Sequence, residues 1–135
     1  MADVIEATAE ATVREQFDIW ERALRTGNPE TVAELYAADA VLVPTVSNVV
    51  RHDRSGIIDY FTRFLAKAPQ ARLHESHLRL LGDIAIHSGI YLFRLTREAG
   101  SAEVPARFTF VYRKTATGWK IIEHHSSYMP ERGAY

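Results

Sequence analysis

The chain has 135 residues, 47% of them apolar and 24% charged, which suits one globular domain with a buried core and excludes wholesale disorder. Sixteen basic against seventeen acidic residues leave a net charge of −1, without the basic excess that a general nucleic-acid or anionic-membrane binder needs, though a local basic pocket stays compatible. The absence of cysteine rules out disulfides, thiolate metal sites and thiol nucleophiles.

The start, Met1-Ala2-Asp3-Val4-Ile5-Glu6, is acidic and lacks the profile of a secretory signal. No apolar run approaches the roughly twenty residues that span a bilayer, so a cytoplasmic protein is expected. Over residues 7–26, Val13, Phe17, Trp20 and Leu24 recur at helical spacing. Gly27 stops that helix, Asn28 caps the next, and Pro29 occupies its first position. The second helix is predicted over 29–36, burying Val32, Leu35 and Tyr36. Residues 40–44 form a brief strand that Pro44 ends or confines to an edge. From Ser55, a predicted N-cap, Ile57, Ile58, Phe61, Phe64 and Leu65 define a third amphipathic helix that finishes before Pro69. Residues 73–81, 85–96, 104–114 and 119–127 then read as strands separated by short turns, so that neighbours pair antiparallel. The domain covers 1–135 with an ordered core over about 7–131, and its class is α+β.

Alternation along the strands gives two faces. Ile90, Leu92, Arg94, Phe108, Phe110, Tyr112, Ile122, His124 and Ser126 are expected to meet the helices. Tyr91, Phe93, Leu95, Arg107, Thr109, Val111, Ile121, Glu123, His125 and Ser127 fall on the other face. That second set is too apolar to lie bare in water, and self-association is the simplest cover for it.

The run Glu123-His124-His125-Ser126-Ser127 is the most suggestive stretch for chemistry, because histidine titrates near neutrality. Adjacent strand residues point opposite ways, so the two histidines cannot share one metal, and no H-x-x-E-H or H-E-x-x-H spacing is present. No metal is expected. His124 is the candidate proton carrier. Arg94 is either an anion anchor in a cavity shared with His124 and Ser126, or a strand-end arginine reaching solvent or a carboxylate. Arg107, Thr109, Glu123 and His125 read as a polar ladder at a subunit contact. Asp39 and Asp59 are further candidates for a general base, and Trp20, Phe17 and Tyr60 for core or pocket lining.

Several blocks together resemble a known family. They are Asn28-Pro29-Glu30 with Leu35 through Leu42, Pro44-Thr45-Val46-Ser47-Asn48, Ile58-Asp59-Tyr60-Phe61, Ala106 through Tyr112, and Trp119 through His124-His125-Ser126-Ser127 to Met129-Pro130-Glu131. The chain is similar, from about Ala11 to Glu131, to bacterial relatives of the association (hub) domain of calcium/calmodulin-dependent protein kinase II, in the nuclear transport factor 2-like (SnoaL-like) superfamily. The resemblance implies a cone of three helices on a strongly curved antiparallel sheet, with an internal cavity and assembly into a homodimer or larger ring. The kinase hub lines its pocket with arginines. Here Arg94 falls on such a position while Phe110 and Ser126 occupy two others, which makes the implied pocket more apolar. Many bacterial relatives carry an oxidoreductase label, yet no nicotinamide or flavin motif is present and no cofactor is expected. The constellations of superfamily enzymes such as ketosteroid isomerase are not recognisable here, and fold analogy alone carries no activity.

Three functions follow as expectations. The first is a homo-oligomer that binds a small, partly apolar molecule in its cone through Arg94, His124, Ser126, Tyr60, Trp20 and Phe110. The second is an accessory enzyme of polyketide- or enediyne-type metabolism using His124 for acid–base chemistry. The third is a pure assembly module. Neither nucleic acid nor membrane is an expected partner.

Overall fold

Helix α1 (Ala2–Arg25) is long because one apolar stripe runs along it, and Val13, Phe17, Trp20 and Leu24 are all buried. The computed structural model describes residues 2–131. Gly27 ends the helix with φ at 69°, a conformation that costs other residues energy. Asn28 then accepts a hydrogen bond from the Glu30 N–H at 3.0 Å and caps α2 (Pro29–Ala33). This helix is shorter than its sequence suggests. The Ile121 N–H donates to the Leu35 carbonyl (2.9 Å) and draws the chain into strand β1 (Tyr36–Val43), so Tyr36 belongs to the sheet. Helix α3 (Arg54–Phe64) is capped by Asp53, whose carboxylate accepts from the Gly56 N–H at 2.7 Å, and not by Ser55. A single 3-10 turn (Leu65–Lys67) leads on to the remaining strands.

Those strands are β2 (Gln70–Leu81), β3 (Ile84–Arg97), β4 (Gly100–Thr115) and β5 (Gly118–Tyr128). The sheet order is β1-β5-β4-β3-β2, with β1 parallel to β5 and every other pair antiparallel. The helices cover one face, as the α+β reading expects. Three irregularities interrupt the sheet, the first in β1, where the register with β5 shifts between Tyr36 and Val41. In β2 the register shifts between Leu73 and Glu75, beside Gly89, where a Cβ would lie 1.9 Å from the Glu75 carbonyl oxygen. In β5 it shifts across Ile122, because Val111 pairs with Glu123 while Tyr112 pairs with Ile121.

These registers correct the expected faces. Arg97 pairs with Gly100, so odd positions of β3 oppose even positions of β4: Tyr91 faces Ala106 and His87 faces Phe110. Tyr91, Phe93 and Leu95 are therefore buried under the helices with Phe108, Phe110 and Tyr112, while Arg94 is exposed on the outer face. Ile121, not Ile122, points inward, and the bulge lets it share the inner side with His124 and Ser126. The outer face remains partly apolar, through Val111 as expected, through Ile90, Leu92 and Ile122, which the sequence reading placed inward, and through Ile84 and Ile86; Leu92 is buried and the others are half-buried.

Both sheet edges are occupied at one point each. Leu42 in β1 exchanges N–H and carbonyl hydrogen bonds with Arg51 at 2.7 and 2.9 Å. At β2, the Glu21 carboxylate from α1 accepts the Ala71 N–H at 3.2 Å, and Arg14 donates to the Ser76 hydroxyl at 3.5 Å.

Candidate functional site

Two features bring polar side chains into the aromatic interior: the register of β5, which sets His124 and Ser126 opposite Phe110 and Phe108, and the early start of β1, which delivers Tyr36. His124 is 2% exposed and its ring stacks on Phe110, with centroids 4.0 Å apart. Trp20 meets both edge-on and lies parallel to Tyr91 at 5.9 Å.

The hydrogen bonds form one directed chain. The Trp20 indole N–H, which can only donate, gives its proton to the Tyr36 hydroxyl oxygen at 3.2 Å. Tyr36 lies 2.8 Å from Nδ1 of His124, and Tyr91 lies 3.3 Å from Nε2. Tyr91 donates its own proton to Ser126 Oγ at 2.5 Å, so its oxygen is left to accept from His124. This assigns the Nε2–H tautomer to His124 and makes Tyr36 the donor to Nδ1. Thr45, just beyond Pro44 at the end of β1, also donates to Ser126.

Burial, and secondarily the neighbouring His125, pushes the His124 pKa down to about 3. Burial likewise raises the Tyr36 and Tyr91 hydroxyls well above the ordinary tyrosine range. Every member is thus neutral at pH 7. With both imidazole nitrogens engaged and protonation opposed, the arrangement suits structural satisfaction better than proton transfer to a substrate.

The cone is full. Trp20, Tyr60, Phe64, Tyr91, His124 and Ser126 are among the residues around a void of about 10 Å³, the room for one water molecule at most. The cavity expected from sequence for a partly apolar ligand has been closed by Tyr91 and Phe93, which project inward instead of outward.

Of the sequence candidates, His124, Ser126, Trp20 and Tyr60 meet at this void, and Phe110 supports His124 from below. Arg94 does not join them. Its register position opposite Glu103 puts it in an open surface cleft with Arg72 and Glu21, so it cannot share a cavity with His124 and Ser126. His125 and Arg107 are exposed on the outer face, where the polar ladder was expected. Asp39 is paired with Arg113 at 3.0 Å and Asp59 with Arg51 at 2.6 Å, each at the surface, which holds both carboxyls below their usual range.

Sequence reasoning missed Tyr36, Thr45, Tyr91 and His87. His87 is fully buried, with Nε2 2.6 Å from the Ser76 hydroxyl and Nδ1 lacking a partner. Burial, with Arg14 nearby, lowers its pKa to about 4. Once the β3–β4 turn is read as even-numbered, the odd positions of β3 fall inward and both His87 and Tyr91 become visible.

A family model for the calcium/calmodulin dependent protein kinase II association domain matches residues 9–130. Among solved structures, one from Xanthomonas campestris assigned to that association domain is 51% identical, with a TM-score of 0.87, covering 89% of this chain and 87% of that one. A Streptomyces avermitilis protein, assigned as a dehydratase of the NTF2-like family, is 21% identical with a TM-score of 0.83, covering 93% and 99%. The S. rosetta CaMKII hub is 18% identical with a TM-score of 0.72, covering 88% and 95%; these two likenesses concern the fold. No curated protein sequence matches. The chain adopts the NTF2-like, cystatin-like fold and belongs to the calcium/calmodulin dependent protein kinase II association domain family.

Proposed function

We propose that the domain is a self-assembling module, a homodimer or larger ring joined through the outer face of its sheet. The observation that carries this reading is the apolar row on that face. Ile86 pairs with Val111 and is followed along β3 by Ile90 and Leu92, with Arg79, Arg107, Glu123 and His125 around it. An apolar centre with a charged rim is the anatomy of a protein interface. Membership of an association-domain family supports the same reading. The filled cone weighs against a ligand housed inside it, since pockets for such molecules run to hundreds of Å³. The neutral, doubly bonded His124 weighs against an acid–base enzyme.

Sedimentation velocity at about 50 µM tests the proposal, because a standard interface of roughly 800 Å² per partner persists there. The wild type should sediment as an assembly. Ile86→Glu combined with Val111→Glu should yield a folded monomer, as both side chains lie outside the helix-covered core. A wild-type monomer, or an unchanged assembly in the double variant, defeats the proposal.

A further inference from the structure

His87 is the second buried histidine, and its surroundings differ from those of His124. Phe108 meets its ring at a right angle with centroids 5.2 Å apart, and Phe17 approaches it edge-on at 6.2 Å. Across the pairing of β2 with β3, Nε2 lies 2.6 Å from the Ser76 hydroxyl. The break in register between Leu73 and Glu75 comes just before Ser76, and bulges of this kind re-aim the side chains beside them. Gly89 is the cross-strand partner of Ser76, so no side chain covers the hydroxyl from that position, and Ser76 stays half-buried.

A third group reaches the same oxygen from α1. Nη1 of Arg14 lies 3.5 Å from Ser76 Oγ, long for a hydrogen bond and typical of a catalytic donor before substrate arrives. The other two nitrogens of Arg14 are held by Glu10, one helical turn away, Nε at 3.3 Å and Nη2 at 3.1 Å. Glu10 thus fixes the guanidinium and leaves Nη1 for Ser76. A guanidinium can only donate, so the serine oxygen accepts from Arg14 and turns its own proton to Nε2 of His87. His87 is then the Nδ1–H tautomer. Burial keeps the ring neutral, with a pKa of about 4, so Nε2 holds a lone pair ready for that proton at pH 7.

We propose that Ser76 is an acyl-accepting nucleophile for small activated carboxylic esters, with His87 as general base and Arg14 as the donor to the oxyanion. Oγ forms a bond to the ester carbonyl carbon as its proton passes to Nε2. The carbonyl oxygen becomes an anion facing Nη1 of Arg14. The bond from carbon to the leaving oxygen then breaks, and the leaving alcohol takes the proton from Nε2. Ser76 is left as the acyl ester and His87 is neutral again. The site shares no residue with the hydrogen-bonded chain around His124.

p-Nitrophenyl acetate is a suitable probe, at about 1 mM with the full-length protein. Digestion and mass spectrometry should find an acetyl group on Ser76, held as an ester that hydroxylamine removes, whereas acetyl groups on lysines resist it. Its rate of formation should be level from about pH 5.5 to 7.5, because His87 stays neutral across that range. Ser76→Ala should lose the labile acetyl group. His87→Gln should slow its formation about a hundredfold. Arg14→Gln, an exposed position, should slow it about tenfold with the melting temperature unmoved. Three outcomes overturn the proposal: no labile acetyl group on Ser76, a rate that climbs about tenfold per pH unit as for an unassisted hydroxyl, or a rate unmoved by Arg14→Gln and His87→Gln. If His87→Gln fails to fold, Arg14→Gln and the pH profile decide.

Discussion

His124 and His87 have the same chemistry and opposite states of satisfaction. The ring of His124 has a partner on each nitrogen, whereas His87 keeps one nitrogen on Ser76 and the other on nothing. Both are held neutral by burial, with pKa values near 3 and 4 against an ordinary 6.5. In the unfolded chain each binds a proton below about pH 6.5, while the folded chain declines it until pH 4 or lower. The unfolded state therefore holds more protons across that window, and stability falls as pH drops through it. At pH 5 each histidine costs about 2 kcal/mol relative to pH 7.5. Urea unfolding at a series of pH values should show this loss beginning near 6.5, ahead of the carboxylates. His87→Phe should make the slope shallower, and an unchanged slope would show that His87 titrates normally. Tyr91→Phe tests the chain of hydroxyls. It removes the donor to Ser126 and the acceptor for Nε2 of His124, and should cost about 1–3 kcal/mol by the same measurement.

Elements were legible where a local rule governs them. Gly27-Asn28-Pro29 marks one helix end and the next start through backbone geometry alone, and the structure has both where the sequence puts them. The inner face of β3 was equally legible but missed. Any turn with an even number of residues between β3 and β4 opposes odd positions to even ones, so Tyr91 had to join Phe108 and Phe110. The β5 bulge was not legible. Ile121 and Ile122 are equally apolar, and only the packed sheet decides which one enters the core. His124 and Ser126 lie opposite Phe110 and Phe108 in regular register, and the bulge is what lets Ile121 share their inner face. Helix α2 ended early for a related reason: a bond from Ile121 to Leu35, distant in sequence, outweighed local propensity. At Gly89 the constraint is sharper still. Gly89→Ala would drive a methyl group into the Glu75 backbone and should cost about 3 kcal/mol or more, or abolish soluble expression, as a thermal melt or yield would show.

For the whole molecule, the two sides of the sheet have different work. Around His124 the helix side spends its polar groups on one another and leaves almost no empty space, so the aromatic rings there act as a rigid block. The outer side carries apolar residues with no helix above them. Substituting Ile86 and Val111 should therefore change the proposed assembly and leave the helix-covered side intact. The sheet's borders then limit what kind of assembly can form. Arg51 fills the hydrogen-bonding row of β1 at Leu42, Glu21 takes an amide of β2, and the break in register beside Gly89 bends that border away from a straight template. A sheet that can be extended at its borders grows without limit, strand upon strand, into fibres. Growth by that route is obstructed at these points on both borders, so the proposed association would run face to face, where each contact uses up the surface that made it. The expected product is a particle of fixed size that stays soluble when concentrated.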